Sequence, residues 1–506
     1  MLFNSYIFIF AFLPLTIVAY RCFWWVGGRK AAFSWLVAAS LFFYAWWNPP
    51  YVALVLTSIL FNYLGGILLR LNRSKSGKPS FALLSIWVAV NLFLLGYYKY
   101  ANFFVDTINY AANMHLNVGH VFLPLAISFF TFTQISYLVD TYHGAPSEYD
   151  LLDYCLFVVF FPHLIAGPIV RHHEILPQIW KSDGYLDITR LPAALTLFAF
   201  GLFSKTVLAD SIAPYSTTYF DSVYQGLMPN FFSAWVGTLA FTCQIYFDFA
   251  GYSTMALGLA YIFDIKMPFN FDSPYKSRSI VEFWRRWHMS LSRFLRDYLY
   301  IPLGGNRRGK VRRYINLMIT MLLGGLWHGA GWTFVIWGGL HGLYLCVNHA
   351  WTTLTRGRAW ANAWPMRGFY YLITFLAVCA AWVVFKAQNL MVMRRTLEAM
   401  VGLHGISFPI FFERFSILGR LGVRFENIAI SENAVLWIAA LLAIALFMPN
   451  VQQVMRKAQP SFEPVKRPSL IAWQPSPGWA LVAGTALVCA VIAMSSGVSE
   501  FIYFQF

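Results

Sequence analysis

Charge is what this sequence has least of. Asp, Glu, Lys and Arg make up 11% of its 506 residues, against roughly 25% in soluble domains. Acids are scarcer still, at 21 Asp and Glu against 37 Lys and Arg. No polar linker, acidic tail or low-complexity tract divides the chain, so a string of soluble domains is excluded. Cysteine is sparse and scattered: Cys22, Cys155, Cys243, Cys346, Cys379 and Cys489 show no CxxC and no metal-ligand spacing, which argues for small core residues and against a disulfide framework or a zinc site. No GxSxG, Walker A or GxGxxG stands in a strand–turn–helix context, so serine-hydrolase and nucleotide-binding readings lapse. The two-residue alternation of a membrane β-barrel is absent too.

What is present is apolar surface. Hydrophobic residues form 59% of the chain and aromatics 19%, a composition that points to a polytopic membrane protein. The net charge of +16 is carried by short loops between apolar runs, as the positive-inside pattern requires, and not by the continuous basic face of a nucleic-acid binder. Met1 to Tyr20 has no basic region before it and no small-residue cleavage site, and reads as a retained helix. Ala31 to Leu69 reads as two helices broken at Asn48, Pro49 and Pro50. Further helices are expected at Pro79 to Tyr98 and Val121 to Val139. Tyr154 to Val170, with Pro162, Gly167 and Pro168, reads as a broken or re-entrant piece. Leu191 to Ala209 should end in an outer loop holding Asp210 and Asp221, and Trp235 to Ala250 and Gly251 to Phe263 flank Asp248. The last helices are expected at Gly368 to Phe385, Val435 to Met448 and Gly478 to Met494. The expectation is all-α, with about eleven spans plus re-entrant and amphipathic helices, in a single domain over 1–506.

The most informative stretch runs from Glu282 to His341. Nine Lys or Arg lie between Arg285 and Arg313, against one acid, Asp297. From Tyr314 to Thr355 there is then no Lys, Arg, Asp or Glu, only largely apolar residues with glycines and three histidines. Fifteen residues beyond Arg313, about 22 Å of helix, lies His328, where an ionisable group is costly and a functional candidate. Its ordinary reading is a buried histidine bonding between helices. The functional reading draws on Gly324, Gly325, Gly329 and Gly331, which would leave room for a substrate, and on Trp327 and Trp332 as apolar walls. His288 sits where Phe283, Trp284, Trp287, Leu291 and Phe294 recur at helical spacing, so a surface histidine on an amphipathic helix is its plain reading. Arg285, Arg286, Arg293 and Arg296 on that helix suit either anchoring to anionic lipid or docking of an anionic donor. Asp248 and Asp264 are expected to have structural partners among the arginines. His163, His172, His173, His341 and His349 have no convincing metal spacing, and no metal is expected.

FWRRWHMSLSRFLRDYLYIPLGGNRRG followed by LLGGLWHGAGWTFVIWGGLHG resembles the signature region of the membrane-bound O-acyltransferases, in their bacterial polysaccharide branch. LPLAISFFTFTQISYLVDTY, FFPHLIAGPIVR, YFDFAGYSTMALGLAYIFDIKMPFNFDSPYKSRSI and the terminal FIYFQF agree with it. The resemblance implies a helical membrane fold around a central tunnel, with a catalytic core near residues 121–350. His328 then takes the place of the family histidine and acts as general base, drawing a proton from an acceptor hydroxyl as it attacks an acyl thioester. His288 takes the second functional position and orients acceptor or donor. Arg285, Arg286, Arg293 and Arg296 would bind the donor, and Trp327, Gly329 and Trp332 would line the tunnel. The family implies no bound cofactor, with acetyl-CoA or an acyl-carrier thioester as donor. It further implies a periplasmic transferase partner, the polysaccharide synthesis machinery, the bacterial inner membrane, and an acceptor of alginate type or else cellulose, peptidoglycan or teichoic acid. A proton-coupled transporter or flippase is the competing class. Such proteins often carry related halves with paired broken helices, and no duplication is visible here.

Overall fold

The computed structural model describes residues 1–119, 121–145, 149–165, 167–414, 420, 424–426, 431–465, 467–497, 499, 501 and 502. Helices dominate, because a backbone in lipid has to satisfy its own hydrogen bonds. Among the described residues five helices are long and apolar enough to cross a membrane, or up to six if a bent pair is one span; the five are Phe8–Ala45, Tyr51–Lys75, Phe81–Ala112, Ile188–Tyr224 and Trp364–Lys386. A two-stranded parallel pair, Ser407–Pro409 with Arg424–Glu426, is the strand content of the described residues. FIYFQF lies outside them beyond Ile502, as does part of the Leu403 to Asn433 loop.

The chain divides into two compact units: 1–203 with 251–270 and 451–505, and 204–250 with 271–450 and 506. In the first unit, Asn48 and the two prolines after it separate Leu13–Ala45 from Tyr51–Ser76 as expected. Gly77 closes the second of these in the left-handed region, with Arg73 and Lys75 in its last turn, where the helix dipole favours cations. Polar glue ties Tyr51–Ser76 to Phe81–Leu95 and to Ile127–Tyr142. Asn62 and Asn91 exchange amide hydrogen bonds of 3.0 and 2.7 Å, and Gln134 Nε2 donates to Ser58 Oγ at 2.9 Å. The broken piece is realised as Leu151–Val159 and Phe161–Leu164, with a proline in the first turn of the second. The Phe161 N–H freed by the break donates to Ser40 Oγ at 3.1 Å.

Two expected boundaries differ. Gly251 does not interrupt a helix, since Phe231–Ile262 runs unbroken for 32 residues. A Cβ on Gly258 would lie 2.7 Å from the Ala194 carbonyl oxygen, so glycine there serves close helix packing. Nor does the chain enter a loop at Asp210. Leu191–Phe203 passes through a π-turn, Ser204–Ala209, into Asp210–Tyr224. The cause lies within the second unit, where buried Lys205 donates from Nζ to Asp210 Oδ1 at 2.7 Å and pairs with Asp248 Oδ1 at 2.8 Å. The partner of Asp248 is thus a lysine, where an arginine was expected. The expectation holds for Asp264, which pairs with Arg190.

The second unit brings Lys310–His328 and Trp332–Leu354 into backbone contact. A Cβ on Gly325 would lie 2.2 Å from the Phe334 carbonyl oxygen, and one on Gly338 would lie 2.3 Å from that of Met321. Such seams of small residues let membrane helices approach closely. Gly325→Ala is therefore expected to destabilise the protein by about 1–3 kcal/mol, read as a lower thermal midpoint in detergent. Gly339→Ala, whose Cβ would meet only Leu322 Cδ2 at 3.4 Å, should leave that midpoint unchanged.

Candidate active site

The approach to the site starts at Ser279, whose hydroxyl caps Ile280–Trp284 by accepting from Glu282 N–H at 3.1 Å. The amphipathic helix expected to follow is not continuous. It stops after Trp284 and resumes as Met289–Leu295, with His288 between them in the left-handed region, φ 40°. The reason is local. Arg286 turns back, its carbonyl accepting from Asp272 N–H at 3.0 Å, and Trp287 enters the aromatic core, its ring stacked on Phe283 at 5.7 Å and tilted against Trp382 at 4.8 Å.

That break rearranges the four arginines. Arg286 is buried, with a 2.6 Å bond to Glu282 Oε1 and another of 3.1 Å to the Asp272 carbonyl. It ties the turn together. Arg296 is exposed and lies on Asp297 at 2.6 and 3.0 Å. Arg285 is exposed as well, and Arg293 is partly so. The expected row of donor-binding cations on one helix is thus corrected to a split set, in which Arg286 is held inside.

His288 itself is buried, edge-on to Phe249 with ring centroids 4.7 Å apart. It lies in a connection outside the spanning helices, where burial pushes its imidazole down to about 3 and so keeps it neutral. Its ring centroid is 6.5 Å from that of His328. The structure thus brings together two histidines 40 positions apart in sequence.

His328 is the last residue of Lys310–His328, buried to 4% exposure. Trp327 and Trp337 each stand 5.0 Å from its ring, and Phe385 stands 5.4 Å away. The nearby glycines have other work than leaving space. Gly325 is spent on the helix seam, and a Cβ on Gly329 would strike the Phe334 ring at 2.2 Å. Trp327 is 4% exposed and fits a wall, whereas Trp332 is 51% exposed.

One residue was missed. His341 is fully buried, accepts from Trp284 Nε1 through Nδ1 at 3.3 Å and lies 4.7 Å from Trp337. Through Trp337 it belongs to the same aromatic enclosure as His328. Its signal in sequence is the glycine-flanked LHG of a charge-free run, which metal-ligand spacing does not pick out. Among the described residues no group of three His, Cys, Asp or Glu could hold a metal ion. The arrangement offers two imidazoles in an aromatic box, suited to moving a proton at an oxygen held between them.

Residues 142–393 match the family model described as MBOAT, membrane-bound O-acyltransferase family. The chain is 43% identical to the peptidoglycan O-acetyltransferase of Helicobacter pylori, over 80% of this chain and 81% of that protein. It is 37% identical to the probable alginate O-acetylase of Pseudomonas putida over the full length of both. With the teichoic acid D-alanyltransferase of Streptococcus thermophilus it shares 31% identity, over 52% of this chain and 68% of that one. The matched span holds His288, His328 and His341, and likeness extends well past it, so the chain belongs to the membrane-bound O-acyltransferase family and is a polytopic helical membrane acyltransferase.

Proposed function

We propose that this chain takes an acetyl group from a thioester on the cytoplasmic side of the bacterial inner membrane and delivers it for O-acetylation of a cell-surface polysaccharide. The observation that carries this reading is the enclosed pair of His328 and His288, 6.5 Å apart, since an acceptor oxygen between the rings lies within reach of both. His328 takes the hydroxyl proton as the oxygen attacks the thioester carbonyl. The new C–O bond forms, the C–S bond breaks, and the leaving thiolate takes that proton from His328, which returns to its starting form. His288, neutral and held by Phe249, orients the oxygen. The donor is acetyl-CoA or an acyl-carrier thioester, approached over the exposed Arg285 and Arg296. Residues 1–506 form one catalytic domain in this reading, and a periplasmic transferase hands the acetyl group to the polymer.

Identity to the alginate O-acetylase over the whole chain favours an alginate-type exopolysaccharide. The 43% identity to a peptidoglycan O-acetyltransferase supports cell-wall glycan as the second reading. Purified chain in vesicles, given radiolabelled acetyl thioester, should yield covalently acetylated product; label that crosses the vesicle membrane without forming an ester would instead support transport. Base-labile acetate on secreted polysaccharide or on muropeptides, compared between a deletion strain and its complement, assigns the polymer.

A further inference from the structure

The first unit contains a cavity of about 710 Å³ whose lining includes Lys266, Phe269, Arg456, Lys457, Phe462 and Glu463. Its volume is that of a small-molecule site. Its charge is one-sided, with three cations against one carboxylate. The Glu463 carboxylate accepts from the Phe269 N–H at 3.3 Å. Arg456 is oriented by a hydrogen bond from its guanidinium to the Ser469 carbonyl. Lys266 uses its backbone, not its side chain, to bond Gln178, at 2.9 and 3.0 Å. Among the described residues no ion pair engages Lys266 or Lys457, so two ammonium groups are available to the cavity. Phe269 and Phe462 add apolar wall beside them.

We propose that this basin binds a phosphate-bearing ligand, gripped by Lys266, Arg456 and Lys457, with its apolar or ring portion against Phe269 and Phe462. The grip is chemically apt, since charge-assisted bonds from lysine and arginine are the strong ones for phosphate. Two sources share this chemistry: the phosphates of a soluble nucleotide thioester donor, and the headgroup of an anionic phospholipid. The nucleotide source rests on the acetyl-transfer reading and the lipid source does not, and both are read as binding, separately from ester formation.

The test uses purified full-length protein in detergent. One arm titrates coenzyme A calorimetrically; the other scores phosphatidylglycerol against phosphatidylcholine retained in native mass spectra after reconstitution. Lys266→Gln with Lys457→Gln is expected to weaken binding in one arm by tenfold or more, about 1.4 kcal/mol. Lys266→Arg with Lys457→Arg should keep it, which separates lost charge from damaged folding. Arg307→Gln with Arg308→Gln, an equal loss of charge outside the cavity lining, should also keep it. An effect confined to coenzyme A identifies the nucleotide source, and one confined to phosphatidylglycerol the lipid. Binding of neither probe, or an equal loss in the Arg307 and Arg308 control, overturns the proposal.

Discussion

Replacing His328 with alanine is expected to abolish acetyl transfer while the protein still inserts and purifies normally. The ring fills a box made by Trp327, Trp337 and Phe385, at the end of a helix whose packing is set elsewhere, along the Gly325 and Gly338 seam. The backbone should therefore tolerate the loss. Positioned proton transfer is worth roughly 10²- to 10⁴-fold in rate, and that is the expected drop in ester formed per minute at saturating donor. His328→Gln keeps size and hydrogen bonding but cannot take up a proton near neutrality, and should fail equally. His288→Ala should raise the acceptor concentration needed for half-maximal rate more than it lowers the maximum, because that ring orients the oxygen. Acetylation by His328→Gln at the wild-type rate would remove the base from the mechanism.

Lys205→Met is expected to produce the largest loss of stability. Lys205 and Asp248 are each about 2% exposed, and Asp210 completes the cluster at 2.7 Å. Removing the lysine leaves a buried carboxylate without its cation, which costs about 3–5 kcal/mol when a buried pair is broken from one side. The thermal midpoint in detergent should fall sharply. Lys205→Met with Asp248→Asn should recover much of the loss, because the stranded charge is gone as well. A midpoint that stays put in the single variant would mean the cluster is hydrated and contributes little.

The membrane class and the family were both legible in the residue order. Scarce charge, long apolar runs and basic loops are properties of composition, and they survive any detail of packing. The motif around LWHGAGW was legible for the same reason, being contiguous. The break at Asn48 to Pro50 and the broken piece at Pro162 could be read because proline and glycine act on their own neighbours.

What only tertiary structure decided involves residues that meet from afar. Helical spacing suggested one amphipathic helix from Glu282 to Asp297. Burial of Trp287 and the return of Arg286 to Glu282 and Asp272 outweighed that spacing, splitting the helix and withdrawing an arginine from solvent. Asp210 looked like a loop residue, yet Lys205 and Asp248 drew it into a helix, since a buried charge needs its partner wherever in the sequence that partner lies. The glycines near His328 suggested open space, but their missing side chains admit neighbouring backbone and the Phe334 ring. His341 joined the site through Trp284 and Trp337, a contact set by how two helices pack. Periodicity and composition act over a few residues, whereas ion pairs and ring contacts are chosen among all residues that folding brings within a few ångströms.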